Sequence, residues 1–156
     1  MRGIWKVLGD QAGSEVVEFG LVLLPLLAVL FLIMDVSWLF FAQASLQHAA
    51  GVGVRYAITN NNLSQDSIKS VVQENAMGFL AGDSGLNKIT VSYYSPANPS
   101  KPLKGSGSTA GGNIIEISVQ GVTVNPLGVF WPSGPTAISL AASSTDVIES
   151  PPPPSS

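Results

Sequence analysis

The sequence predicts an α+β protein hung on one long N-terminal helix that crosses a membrane. Three observations carry this prediction. Every residue from Phe19 to Met34 is apolar, glycine or proline. Ile68, Val71, Val72, Ala76, Phe79 and Leu80 recur at helical spacing. Beyond Ile89 the period changes to two, with Ile115, Ile117 and Val119 alternating with Glu116, Ser118 and Gln120. Composition agrees, because only 11% of the 156 residues are charged, against about 25% in an average soluble protein.

The apolar run is interrupted at Asp35 and resumes through Val36 to Ala42. As a helix, Phe19 to Ala42 spans roughly 36 Å, enough to cross a hydrocarbon core of about 30 Å. So continuous an apolar circumference has no place on the surface of a small soluble domain. Arg2 and Lys6 precede the run and no Lys or Arg follows it until Arg55. The positive-inside bias then puts the N-terminus in the cytoplasm and the rest of the chain outside it. Pro25 frees a carbonyl within the span, which a neighbouring helix or a local rearrangement must satisfy. Asp35, roughly 24 Å along the helix from Phe19, is either a carboxylate reaching the far headgroups or a polar handle for another helix.

The helix is expected to continue to about Ala57. Ala42, Ser45, Ala49 and Gly53 fall on one face, where small residues admit another backbone closely or simply favour helix. Asn60-Asn61-Asn62 reads as a turn. A second helix starts at Ser64 or Asp66 and stops near Gly82. Three strands are expected: Ile89 to Tyr93, the Ile115 to Val124 segment with a bulge at Gly121, and a third through Ile138 and Leu140 toward Ile148. The stretch 95–113 between the first two strands, rich in Gly, Ser and Pro and carrying Lys101 and Lys104, reads as a mobile hairpin loop. Its glycines do not make a phosphate loop, since a strand follows and no lysine is suitably placed. Phe130 and Trp131 in the 125–135 loop either form a contact surface or fold onto the core. The Pro-rich segment 150–156 cannot continue strand or helix.

Several function classes are excluded or disfavoured. The net charge of −3 comes without a basic patch, so nucleic-acid binding is set aside. There are no cysteines and one histidine, His48. No disulfide, thiol nucleophile or cysteine metal site is possible, and no second ligand accompanies His48. No nucleophile–base pair or paired carboxylates stand out. The chain is expected not to be an enzyme, and to need no cofactor, metal or small-molecule substrate.

The N-terminal stretch Ala12 to Pro25, AGSEVVEFGLVLLP, holds the most specific signal. Ala42-Gln43-Ala44 offers a secretory cleavage site, but the apolar region before it is too long and contains Asp35. An uncleaved anchor is a second possibility. In the third, the chain is cut after Gly13, Ser14 becomes the first residue, Glu18 the fifth, and Phe19 follows. This arrangement of a short basic leader, Gly, four residues, Glu and an aromatic resembles the prepilin-peptidase site of type IV pilins and pseudopilins. Cutting would create an ammonium group at Ser14. Buried in a packed array of helices, the Glu18 carboxylate needs such a partner, and an ammonium from a neighbouring subunit would set axial register.

The resemblance extends further. Gly13 to Pro25, then Ile33-Met34-Asp35, then Leu46-Gln-His-Ala-Ala-Gly-Val-Gly-Val-Arg-Tyr-Ala57 resembles the TadE family, minor pseudopilins of the tight-adherence (Flp, type IVb-like) pilus system. Glu18, Phe19, Pro25, Asp35, Arg55 and Tyr56 fall on its matching positions. Gly20 stands where the family usually has Ala, and Gly51-Val52-Gly53 lacks the charges often found there. The resemblance implies a pilin-like plan in which a short helix and a small antiparallel sheet of about three strands pack on the outer half of the long helix. It implies a structural role in pilus biogenesis, with a prepilin peptidase, the major Flp pilin, another minor pseudopilin and an inner-membrane assembly platform as partners. The chain then divides into a leader over 1–13, the long helix over 14–57, an extracytoplasmic domain over 58–149 and a tail over 150–156. The alternative is an uncleaved, membrane-anchored binding module.

Overall fold

The computed structural model describes residues 11–60, 64–105, 107–125 and 137–149. The expectations for the leader before Gln11, for Asn61 and Asn62, for Phe130 and Trp131 and for the tail fall outside these residues.

One helix dominates. α1 runs unbroken over Gln11–Thr59, through Pro25, a length of roughly 70 Å. It meets two different surroundings. Before Ala42 most of its large apolar side chains are exposed: Phe19, Leu24 and Phe40 are 66%, 70% and 71% exposed. From Ala42 onward one face is sealed, with Ala42, Leu46, Ala49 and Ala50 fully buried and Val54 nearly so. Two serine hydroxyls of the outer span are satisfied within the helix. The Ser37 hydroxyl donates to the Ile33 carbonyl at 2.7 Å and Ser45 to that of Phe41 at 2.8 Å.

α2 covers Gln65–Asn75. Ser64 caps it, its hydroxyl accepting from the Ser67 N–H. The helix ends earlier than Gly82. Met77 and Gly78 both take positive φ, 48° and 88°, and reverse the chain so that Phe79 and Leu80 fold back under α2. The Gln73 side chain ties this turn by donating to the carbonyls of Leu80 and Gly82 at 2.7 and 2.8 Å. Gly82 opens a short helix, α3, over Gly82–Leu86.

The sheet has four strands, β1 (Ile89–Ser95), β2 (Asn98–Pro102), β3 (Ile114–Val124) and β4 (Ile138–Val147), in the order β2-β1-β3-β4. All neighbours are antiparallel. The strand beyond the expected three is β2, inside the stretch read as a loop. Its sequence NPSKP carries no alternation and two prolines, which an edge strand tolerates because its outward N–H groups need no partner. The rest of that stretch is tied as well. Asn113 donates its side-chain amide to the carbonyls of Gly107 and Ser108, and Gly112 N–H donates to Ile148 at 2.7 Å.

The inner face of the sheet is a ladder of apolar pairs, Ile89 with Val119, Val91 with Ile117 and Tyr93 with Ile115, all buried. The bulge expected at Gly121 is present. The β3–β4 register shifts between Val119 and Val122, and Gly121 has φ +72°. This keeps Val122 and Val124 on the buried side.

α1 closes the core against α2, β3 and β4. The small face read as a possible seat for another backbone is filled by the chain itself. A Cβ at Gly53 would stand 2.3 Å from Val72 Cγ2 and 3.0 Å from Ile117 Cδ1, whereas one at Gly51 would meet only Ser144 Oγ at 4.0 Å. Gly53→Ala is therefore expected to cost about 1–3 kcal/mol by overpacking, and Gly51→Ala to be neutral or slightly stabilising. Thermal melts of the detergent-solubilised protein check the contrast. Burial also pushes the Tyr93 phenol pKa above its ordinary value. The folded state thus holds that proton more tightly, so this contribution is complete below the ordinary tyrosine pKa of about 10 and declines as pH rises past it. Tyr93→Phe should flatten the alkaline fall in stability, read by melts across pH.

Candidate functional site

The residues singled out in the sequence lie along one rod and, among the described residues, do not line a common pocket. Gly13 and Ser14 sit in the first turns of α1, and Glu18 follows Ser14 by four residues. Glu15, Glu18 and Phe19 are exposed. Pro25 is exposed within the helix, and Asp35 is half-buried near the outer end of the span. Arg55 and Tyr56 lie in the last turns. Along a rise of 1.5 Å per residue, Gly13 and Arg55 are roughly 60 Å apart. The fold therefore brings Gly13, Ser14, Glu18 and Phe19 together at one end and Arg55 and Tyr56 at the other, and it does not bring the two groups to each other.

The apolar side chains between these ends are the defining feature of the inner half. Val16, Val17, Leu21, Val22, Leu26, Ile33 and Phe40 are all at least 60% exposed. A surface of that kind is stable in hydrocarbon or against other apolar helices and costly in water. The helix is long and apolar enough to cross a membrane, and it fits a single-pass anchor.

The outer end has its own chemistry. Arg55 shares a shallow cleft with His48, Gly51, Ser144 and Asp146. Asp146 of β4 is the carboxylate that lines this cleft with Arg55. Asp146 also accepts from the Val147 N–H at 2.8 Å, through its own side chain. Tyr56 contributes its carbonyl to the close of α1, accepting from the Asn60 N–H and side chain. Among the described residues no cluster of three or more His, Cys, Asp or Glu side chains is arranged to hold a metal ion.

Two contacts were not visible in the sequence. The Gln43 amide donates to the Ala141 carbonyl at 2.7 Å. Ala141 lies opposite the bulge at Gln120 and Gly121, where the β3–β4 pairing is broken, so the helix supplies a donor at an interrupted point of the ladder. The second is an aromatic cluster at the foot of the domain. Trp38 lies 5.7 Å from Phe41 and 5.7 Å from Phe79, and Phe41 lies 6.1 Å from Phe79, all tilted. A glycine-flagged bulge and two aromatics one turn apart were the only traces of these contacts.

The arrangement is an α+β fold in which the outer half of a long apolar helix, fit to serve as a membrane anchor, carries a short helix and an antiparallel sheet. Comparison with known families is specific to the helix. The model of the TadE-like protein family matches residues 13–55, which takes in most of α1 and none of the sheet, and this region is TadE-like. No curated protein and no solved structure matches the chain.

The Gln43 contact yields a measurable expectation. Gln43→Ala removes a hydrogen bond between α1 and the sheet, and should lower stability by about 1 kcal/mol with no change in the span. Melts of the two proteins in the same detergent test this.

Proposed function

We propose that the protein is a minor pseudopilin that serves assembly of the tight-adherence (Flp) pilus, cut by a prepilin peptidase after Gly13. The observation that carries this reading is the register of Gly13, Glu18 and Phe19 at the head of an exposed apolar helix. The family match, which begins at residue 13, supports it. In this reading residues 1–13 are the leader and 14–57 the anchoring helix. Residues 58–149 form the extracytoplasmic domain, and 150–156 a terminal tail. The protein sits in the bacterial inner membrane with its N-terminus in the cytoplasm.

Cutting removes Arg2, Lys6 and Asp10, leaves 143 of the 156 residues and moves the net charge from −3 to −4. It also creates an ammonium one helical turn from Glu18. When helices leave the lipid to pack side by side, an unpaired Glu18 carboxylate would be strongly penalised. A neighbouring ammonium relieves that penalty and selects one axial stagger. Glu18 then acts in recruitment. The major Flp pilin, a second minor pseudopilin and the inner-membrane platform are the partners of this step. The role is structural and calls for no catalysis by this chain.

The decisive measurement is the N-terminal residue and intact mass of the membrane-extracted protein, with and without a prepilin peptidase. Peptidase-dependent loss of Met1 to Gly13, leaving Ser14 first, is expected. An intact N-terminus beside active peptidase would favour the uncleaved anchored module, and a start at Ser45 a secreted domain. Glu18→Ala should still be cut while its incorporation with partner pilins drops severalfold, as read by crosslinking. Equal crosslinking of both proteins would remove Glu18 from that role.

A further inference from the structure

The turn that ends α2 is unusual in what it presents. Met77 adopts φ 48°, a left-handed conformation that non-glycine residues seldom take, yet its side chain is 66% exposed. Its neighbour Phe79 packs on Trp38 and Phe41 of α1. The Ser45 hydroxyl reaches the Met77 sulfur at 3.8 Å, which ties the turn back to the helix. The domain thus holds an exposed apolar tip against α1 where the span gives way to the buried half.

The height of this tip follows from the helix. About 20 residues fill the hydrocarbon core. Counted from Phe19, the twentieth is Trp38, one turn before the first buried residue of α1, Ala42. Trp38 therefore marks the outer boundary of the hydrocarbon, the zone where tryptophan is enriched, and its contact with Phe79 brings the turn to the same level. β4 points to that level independently. Gln43 bonds to Ala141, and Gly51 faces Ser144, so β4 ascends alongside α1. Ile138, 39% exposed, then lies about 10 Å below Ala141, beside the same boundary.

We propose that the Met77–Gly78–Phe79 turn is a second membrane contact, inserted into the outer interfacial layer of the bilayer, with Ile138 beside it. The domain then rests on the lipid surface in a fixed orientation instead of swinging on its anchor. The occupant is lipid because the patch continues the apolar surface of the span. Methionine suits it, being flexible and apolar. This proposal rests on α1 being a membrane anchor.

Because the chain contains no cysteine, single labels are straightforward. The full-length protein carrying Met77→Cys is labelled with an environment-sensitive fluorophore and reconstituted at high dilution in phosphatidylethanolamine–phosphatidylglycerol vesicles. Quenching by a nitroxide held near the lipid headgroup is compared with quenching by aqueous iodide. Leu27→Cys, in mid-span, and Thr109→Cys, in the far loop, serve as references. At position 77 lipid quenching should be strong, and iodide quenching severalfold weaker than at 109. Iodide quenching equal to that at 109, with position 27 still reached only from lipid, would overturn the contact and leave the anchor intact. Protection at 77 from both quenchers would mean a protein cover and would equally overturn it. Iodide access at position 27 would remove the anchor itself.

Discussion

Everything outside the membrane depends on how closely α1 lets the rest of the chain approach. At Gly53 the helix has no side chain, and Val72 of α2 and Ile117 of β3 fill the space a Cβ would need. Ala42, Ala49 and Ala50 extend that close contact along the same face, with Leu46 and Val54 as the larger members. Dispersion and apolar burial both grow as surfaces close to contact distance. A bulkier face would hold α2 and the sheet away from the helix and open the core from its centre.

This contact turns one continuous helix into two functional parts. The inner half exposes most of its large apolar side chains, a surface stable in hydrocarbon or beside other apolar helices. The outer half is a structural member of the domain, bolted to the sheet by Gln43 at the bulge and to α2 by Gly53. Because no break separates the halves, a shift in the membrane segment moves the whole domain as a rigid load. An axial register set near Glu18 would be transmitted to the cleft of Arg55 and Asp146 roughly 60 Å away.

Much of this was legible locally. The helix and its approximate end near Ala57, the Ser64 cap, the alternation of β3 and the bulge at Gly121 each depend on a few neighbouring residues. What escaped was settled at a distance. β2 has neither period nor propensity and exists because β1 offers it an edge. The end of α2 depends on Phe79 folding back onto Trp38 and Phe41, which forces the left-handed pair at Met77 and Gly78 before the expected stop at Gly82. The small face of α1 could equally have received another chain.

The sequence by itself determined the long apolar helix, the start of α2 and the strands β1, β3 and β4, because hydropathy, period and spacing are properties of contiguous residues. Tertiary structure alone decided that Gly53 belongs to Val72 and Ile117, that Asp146 is the carboxylate beside Arg55, and that Met77 is displayed at the level of Trp38. Each of these joins residues about twenty or more positions apart, and only the closing of the core against α1 fixes which surfaces meet.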